Sequence, residues 1–265
     1  MPASEFFFAF LELIAEYTPW IILAIARPFG FSIMFAIFAW AKLSSGILRM
    51  AFAIAVALPM LNSSIPTYGI EGLALPFVGT LIKELFVGSI LGLAASLPLA
   101  VSVAGGGIVD FYRGAFQGGP DPSGGTVPPY ANLFAIVTIW LFASMGGFII
   151  VADMIYSSYD IWAVRDPFPE FNPGADVLLT ILEKIMLGAV VLAGPLLIIM
   201  FFSDIIHLIS SKFGKKINVT HMAFSTKNLL AAMALPLFLV ASIRFFKSEI
   251  EFLRGVNQFA QGIFL

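Results

Sequence analysis

The chain has 265 residues, 60% of them apolar and only 11% charged, and its mean hydropathy is +0.98. A soluble domain carries about 25% charged residues, so too little polar surface is present to coat a water-soluble globule, and the composition is that of a membrane protein. A net charge of −2 excludes a strongly basic nucleic-acid binder, and the absence of cysteine excludes disulfides, thiolate metal sites and Cys nucleophiles.

The first residues, Met1-Pro2-Ala3-Ser4-Glu5, lack a basic n-region, and Glu12 and Glu16 interrupt the apolar run that follows, so the pattern is not that of a cleavable signal. Six stretches then approach the ~20 apolar residues that cross a bilayer core. They run from about Trp20 to Ala41, Met50 to Ile65, Phe77 to Ala104, Ala131 to Ala152, Val177 to Phe202 and Asn228 to Ile243, before an amphipathic tail from Arg244 to Leu265. Long runs rather than alternation argue against an outer-membrane barrel. The expected fold class is an all-α integral membrane protein of about six kinked helices or helical hairpins, as a single domain.

Pro28, Pro59, Pro98, Gly146-Gly147, Pro195 and Pro236 fall inside these stretches. Proline removes a helix hydrogen bond, and in lipid the freed carbonyl needs another partner. The pattern predicts broken helices packed against protein; ordinary kinked transmembrane helices are the alternative. Lys42 and Arg49 after the first stretch, and Lys212, Lys215 and Lys216 after the fifth, place both turns in the cytoplasm by the positive-inside rule. Six spans then put the N-terminus and the tail outside, although the tail carries Arg244, Lys247 and Arg254.

The densest local signal lies at Gly105–Gly125, where eight of 21 residues are glycine. That composition predicts a loop, about 105–129, without regular structure. It is either an exposed connector or a re-entrant segment beside a water-filled path, and Phe111, Tyr112 and Phe116 favour the second. No GxxxxGK[ST] is present, so a phosphate loop is not supported. Asp110 and Arg113 are three apart and pair if the stretch is helical.

Charges within the apolar stretches are costly and face protein or water. Arg27 precedes Pro28. Lys83 and Glu84 are adjacent, point in different directions on a helix, and do not read as partners; Glu183-Lys184 repeats the pattern. Asp153 and Asp204 end long apolar runs. Each reads equally as an interfacial or snorkelling charge. His207 and His221 are fourteen apart, and Asp204 three before His207 falls short of an HExxH. Ser144 and Ser157-Ser158 lack a GxSxG context. No catalytic set, metal site or cofactor site is predicted.

Several ordered segments resemble one family. Ala26-Arg27-Pro28-Phe29-Gly30, Leu48-Arg49-Met50-Ala51 and Ala57-Leu58-Pro59 are similar to the opening of the SctT/FliR family, inner-membrane export-apparatus proteins of type III secretion systems and flagella. Lys83-Glu84 followed by Gly88-x-x-x-Gly92, then Asp110-x-x-Arg113-Gly114, Asp121-Pro122-Ser123-Gly124, Gly146-Gly147, Ser158-Tyr159 with Trp162, Asp204 through Phe213, Ile217-Asn218-Val219 and Lys227 follow in family order over nearly the whole chain. Arg27-Pro28 and the Trp162 region resemble the injectisome branch more than the flagellar one.

The resemblance implies a non-enzymatic subunit in which one such chain joins five SctR-like and four SctS-like chains as the entry channel for unfolded secreted proteins. An SctU-like switch protein and an SctV-like export gate are the further partners it implies, with no nucleic acid. It implies a channel plug over Asp110, Phe111, Tyr112, Arg113, Gly114, Ala115, Phe116, Gln117, Gly118 and Gly119. It also implies buried charges in assembly at Arg27, Arg49, Lys83, Glu84, Asp204 and Lys227. The alternative from the residues alone is a proton- or solute-coupled secondary transporter acting as a small homo-oligomer.

Overall fold

A computed structural model describes residues 3–41, 43, 45–64, 73–114, 128–167, 175–213 and 219–264, with side chains described over 17–41, 43, 45–60, 73–114, 128–167, 179–213 and 222–248 apart from 237 and 241. The described residues form α1 (Ala3–Met34), α2 (Ala36–Trp40), α3 (Gly46–Ser64), α4 (Phe77–Ala95), α5 (Leu97–Tyr112), α6 (Pro129–Ser144), α7 (Gly147–Ile161), α8 (Ala175–Phe213) and α9 (Val219–Phe264), with no strand among them. The all-α class is as the sequence predicts.

The chain divides into two compact units. One comprises Met1–Ser96, Gly146–Pro173 and Leu253–Leu265, the other Leu97–Met145 and Gly174–Phe252. In the first, α1 packs on α3 and α4, and α4 on α7. The α1–α4 contact is a backbone approach. A Cβ at Gly30 would meet the Leu85 carbonyl, one at Gly88 the Arg27 carbonyl, and one at Gly92 the Phe31 carbonyl. The Gly88-x-x-x-Gly92 spacing thus lets two helices touch main chain to main chain, as small residues do in membranes. Phe31, Phe35, Phe38 and Phe52 fill the adjoining core edge to edge. In the second unit α5 packs on α6 and α8. Its core sets Phe134 on Phe238 at 4.3 Å between ring centres, beside Leu192, Leu196 and Met200.

The helix breaks do not follow the prolines. Pro28, Pro59 and Pro195 lie inside unbroken α1, α3 and α8. Pro236, in α9, coincides with a bend of 46°. Pro98 is the second residue of α5, a first-turn position whose missing N–H has no helical acceptor to lose. The breaks fall at Phe35, at Ser96 and at Met145-Gly146, where Gly146 takes a left-handed φ of 75°. One hydroxyl serves the first two. Ser96 ends α4, and its Oγ accepts the Ala36 N–H at 2.8 Å, lies 3.2 Å from the Met34 carbonyl and donates to Gly92 O at 2.7 Å.

These breaks shorten the predicted stretches. Phe77–Ala95 and Leu179–Phe213 are each long and apolar enough to cross a bilayer. Pro129–Ser144 with Gly147–Ile161, and Met222–Pro236 with Phe238–Ser248, raise the count among the described residues to four if each bent pair is one span. The sequence predicts about six; Gly46–Met60 and Leu97–Tyr112 are apolar but short. The chain is a multi-pass membrane protein. The amphipathic tail is no separate element, because α9 continues through Arg244 to Phe264.

Candidate functional site

Two sets of buried polar side chains stand out, one in each unit. In the first unit Arg27, Lys83 and Glu84 are all at or below 1% exposure. Arg27 holds Glu84 in a fork, Nε to Oε2 at 2.7 Å and Nη2 to Oε1 at 3.1 Å. Its Nη1 donates to Ser158 Oγ at 2.9 Å, Nη2 also donates to the Trp162 carbonyl at 2.8 Å, and the guanidinium lies 3.8 Å from the centre of the Tyr159 ring. Lys83 Nζ reaches Glu84 Oε1 at 3.2 Å and donates to the carbonyls of Ala163, Val164 and Asp166 at 2.9–3.0 Å.

Two cations face one carboxylate. The excess positive charge is met by four main-chain carbonyls at and just beyond the C-terminus of α7, the negative end of that helix. The turn after α7 is closed by Asp166, whose carboxylate accepts the Ala163 N–H at 3.2 Å. The cluster therefore joins α1, α4 and the end of α7. Lys83 and Glu84 do interact, contrary to the reading from adjacency. That reading treats side chains as short vectors, whereas the four-carbon lysine stem bends back to its neighbour.

In the second unit Asp110 is fully buried. Its Oδ2 accepts the N–H groups of Tyr130 and Ala131, both at 2.9 Å, in the first turn of α6. Those amides have no helical acceptor, so Asp110 caps α6 from outside at its positive end. Oδ1 accepts Arg113 Nε and Nη2 at 2.9 Å each, and Arg113 continues to Asn228 Oδ1 on α9 at 2.8 Å and lies over the Tyr130 ring at 4.9 Å. Nearby, Lys227 pairs with Asp204 at 2.8 Å, Tyr112 donates to Asp204 at 3.0 Å, and Lys227 Nζ lies 5.0 Å from the centre of the Tyr112 ring.

Asp110, Phe111 and Tyr112 are helical, as are Gly105, Gly106 and Gly107, so the predicted Gly-rich loop begins later than its glycines suggest. The correction has a packing cause. A Cβ at Gly106 would strike the Ala131 main chain, and one at Gly105 would press the Ala189 carbonyl and Leu192, so two of these glycines admit neighbours rather than flex. Arg113 follows, and Gly114 adopts φ 82°. Ala115, Phe116, Gln117, Gly118 and Gly119 lie outside the described residues, as does most of the basic turn beyond Phe213.

Arg49 stands apart from both sets. It donates to the Ile33 carbonyl at 3.2 Å beside the α1 break, and its Nε is buried without a hydrogen-bond partner. His207 is held by the Ser203 carbonyl at 2.7 Å and Thr226 Oγ1 at 3.3 Å, and no group of three or more metal-ligating side chains occurs among the described residues. Sequence reasoning missed Ser158, Tyr159, Asn228 and the α6 amides as partners. Pro128-Pro129 marks the start of α6, but nothing in the sequence ties it to a carboxylate twenty residues earlier.

Comparison with known proteins agrees with this ordered pattern. Residues 19–253 match the family described as "Bacterial export proteins, family 1". The chain is 29% identical over 190 residues to "Surface presentation of antigens protein SpaR" of Shigella sonnei, covering 70% of this chain and 71% of that one. It is 28% identical over 208 residues to the protein of the same name from Salmonella typhimurium, covering 74% and 75% of the two chains. To "Yop proteins translocation protein T" of Yersinia pestis it is 30% identical over 159 residues, 59% of this chain and 61% of that one. With the family matched from the start of the first apolar stretch almost to the end of α9, the chain belongs to the bacterial export proteins, family 1, the SctT/FliR family of type III secretion export proteins, on its injectisome branch.

Proposed function

We propose that this component of a type III secretion export apparatus is a non-enzymatic subunit of the export gate in the bacterial inner membrane. In this reading it is the single copy beside five SctR-like and four SctS-like chains, and together they form the entry channel for unfolded secreted proteins. An SctU-like switch protein and an SctV-like export gate complete its surroundings. The segment Asp110–Gly119, centred on Tyr112–Gln117, closes the channel at rest, and Arg27, Arg49, Lys83, Glu84, Asp204 and Lys227 hold the subunit in its assembled form.

The observation that carries the plug reading is the Asp110 clasp. One carboxylate binds Arg113 on the approach to residues 115–127 and the Tyr130 and Ala131 amides just after them. The tie holds the two helix ends that flank the proposed plug, and aromatic contact is one way a narrow pore is closed.

The test has two parts. The mass and composition of the particle extracted gently through a tag on this chain reads the assembly: one copy among several other small hydrophobic chains is expected, and a lone chain or homo-oligomer overturns it. Deletion of Ala115–Gln117, which spares the clasp, is expected to make membranes leaky to small solutes while the particle still forms. Unchanged leakage with an intact particle rejects the plug.

A further inference from the structure

Three consecutive residues of α9 are tied to three different places in the second unit. Thr226 reaches His207 on α8, Lys227 pairs with Asp204 on α8, and Asn228 accepts from Arg113, just after α5. The first of these links belongs neither to the clasp nor to the ion pair.

His207 is half-buried, and both of its ring nitrogens lie beside oxygen. Nδ1 is 2.7 Å from the Ser203 carbonyl, which has no hydrogen to give, so Nδ1 carries one. Nε2 is 3.3 Å from Thr226 Oγ1. The threonine hydroxyl has a single hydrogen, and at 2.8 Å that hydrogen is given to the Met222 carbonyl, one turn back in α9. The hydroxyl oxygen can then only accept, so its bond to His207 needs a hydrogen on Nε2 as well. A ring protonated at both nitrogens is an imidazolium. A neutral ring with its hydrogen on Nδ1 sets two lone pairs against each other unless Thr226 gives up Met222. Loss of one proton thus costs a bond on one side of the threonine or the other.

The charged and titratable groups next to this link are Asp204, one turn before His207, and Lys227, beside Thr226; Tyr112 and Arg113 join from α5 and its end. They hold other partners. Asp204 is taken by Lys227 at 2.8 Å and Tyr112 at 3.0 Å, and Arg113 by Asp110 at 2.9 Å. The imidazole itself therefore governs the link. Histidine is the side chain whose ordinary charge change falls between about pH 5 and 8. His207 stands about 9 Å from the end of α8, and beyond it come Lys215 and Lys216, in a turn that the positive-inside rule assigns to the cytoplasm.

We propose that His207 is a proton-sensitive latch between α8 and α9, closed as the imidazolium and released as the ring turns neutral. Asn228 shares the latched turn of α9, so a rise in cytoplasmic pH also loosens the hold on Arg113. The latch needs neither a plug nor a channel to operate.

The chain has two histidines, so each can be replaced in turn. Hydrogen exchange of the amides from Ala223 to Ala231 is measured in the tagged, gently extracted particle at about pH 5.5 and about pH 8, each rate being corrected for that of the unfolded peptide at the same pH. Protection in the parent chain is expected to fall about tenfold at the higher pH, the effect of one charged hydrogen bond, while α4 in the first unit stays level. His207→Gln is expected to remove the pH dependence, and His221→Gln to keep it. Thr226→Val, which leaves the ring in place, is expected to hold α9 at the lower protection at both pH values.

Equal protection of the parent at both pH values overturns the latch. So does a fall that survives in His207→Gln or Thr226→Val, or one that His221→Gln abolishes. A fall shared equally by α4 reports loosening of the whole chain and overturns it too.

Discussion

The two units solve the same problem in different ways. Each holds an arginine against a carboxylate and the face of a tyrosine, Arg27 with Glu84 and Tyr159 in one, Arg113 with Asp110 and Tyr130 in the other. In the first, every charged member is sealed from solvent and one cation is in excess, balanced by carbonyls. In the second, the fully buried carboxylate is met by Arg113, whose side chain is 13% exposed, and the neighbouring Asp204–Lys227 pair is 33% and 17% exposed. A sealed cluster cannot lose one member without leaving an uncompensated buried charge, whereas a half-wet one can let water in. The first is a weld and the second a clasp.

That contrast can be broken experimentally, and Glu84→Gln is the strongest attempt. It leaves Arg27 and Lys83 buried without a counter-charge, at a cost of about 3–5 kcal/mol, and is expected to remove most of the monodisperse chain recovered in detergent. Recovery equal to the parent would show that the carbonyls alone suffice. Gly88→Val drives a side chain into the Arg27 carbonyl and is expected to cost about 3 kcal/mol or more, since main chain cannot give way as a side chain does. The fall in its thermal midpoint should exceed that of Gly107→Val, where a Cβ meets nothing within 4 Å.

In the clasp, Asp110→Ala loses the α6 cap and strands Arg113, for about 1.5–3 kcal/mol. Asp110→Asn, which keeps an acceptor, should recover part of this, and hydrogen exchange of the Tyr130 and Ala131 amides reads the difference directly. Asp204→Asn is the smallest, about 0–1 kcal/mol and shrinking further in high salt, because the pair is partly exposed. A salt-independent loss at Asp204 comparable to that at Glu84 would erase the distinction between weld and clasp.

Much of this was legible in advance, and the failures share a cause. Apolar runs gave the class, and Asp110 with Arg113 gave a correct pair, because a spacing of three is local. Gly88-x-x-x-Gly92 entered only through the family resemblance, and its role in the close contact with α1 came from the structure. Arg27 was visible as a buried charge, yet its partners lie 57, 131 and 135 residues away, and no periodicity encodes such distances. Gly105–Gly107 misled because glycine serves both flexibility and tight packing, and only the neighbour decides which. The prolines misled likewise: a helix can run through proline, while Phe35 and Ser96 break it with no local signal.

The long separations around Arg27 also impose an order on biogenesis. At about 5–20 residues per second, the ribosome makes Glu84 about 3–11 s after Arg27, and the acceptors on and after α7 later still. Until then α1 carries a solitary cation through an apolar stretch, and the Ala36 amide waits sixty residues for Ser96. The first helix therefore cannot settle when it is made. It must be kept in a wet or chaperoned setting until α4 arrives, so a chain truncated before Glu84 is a natural substrate for membrane quality control.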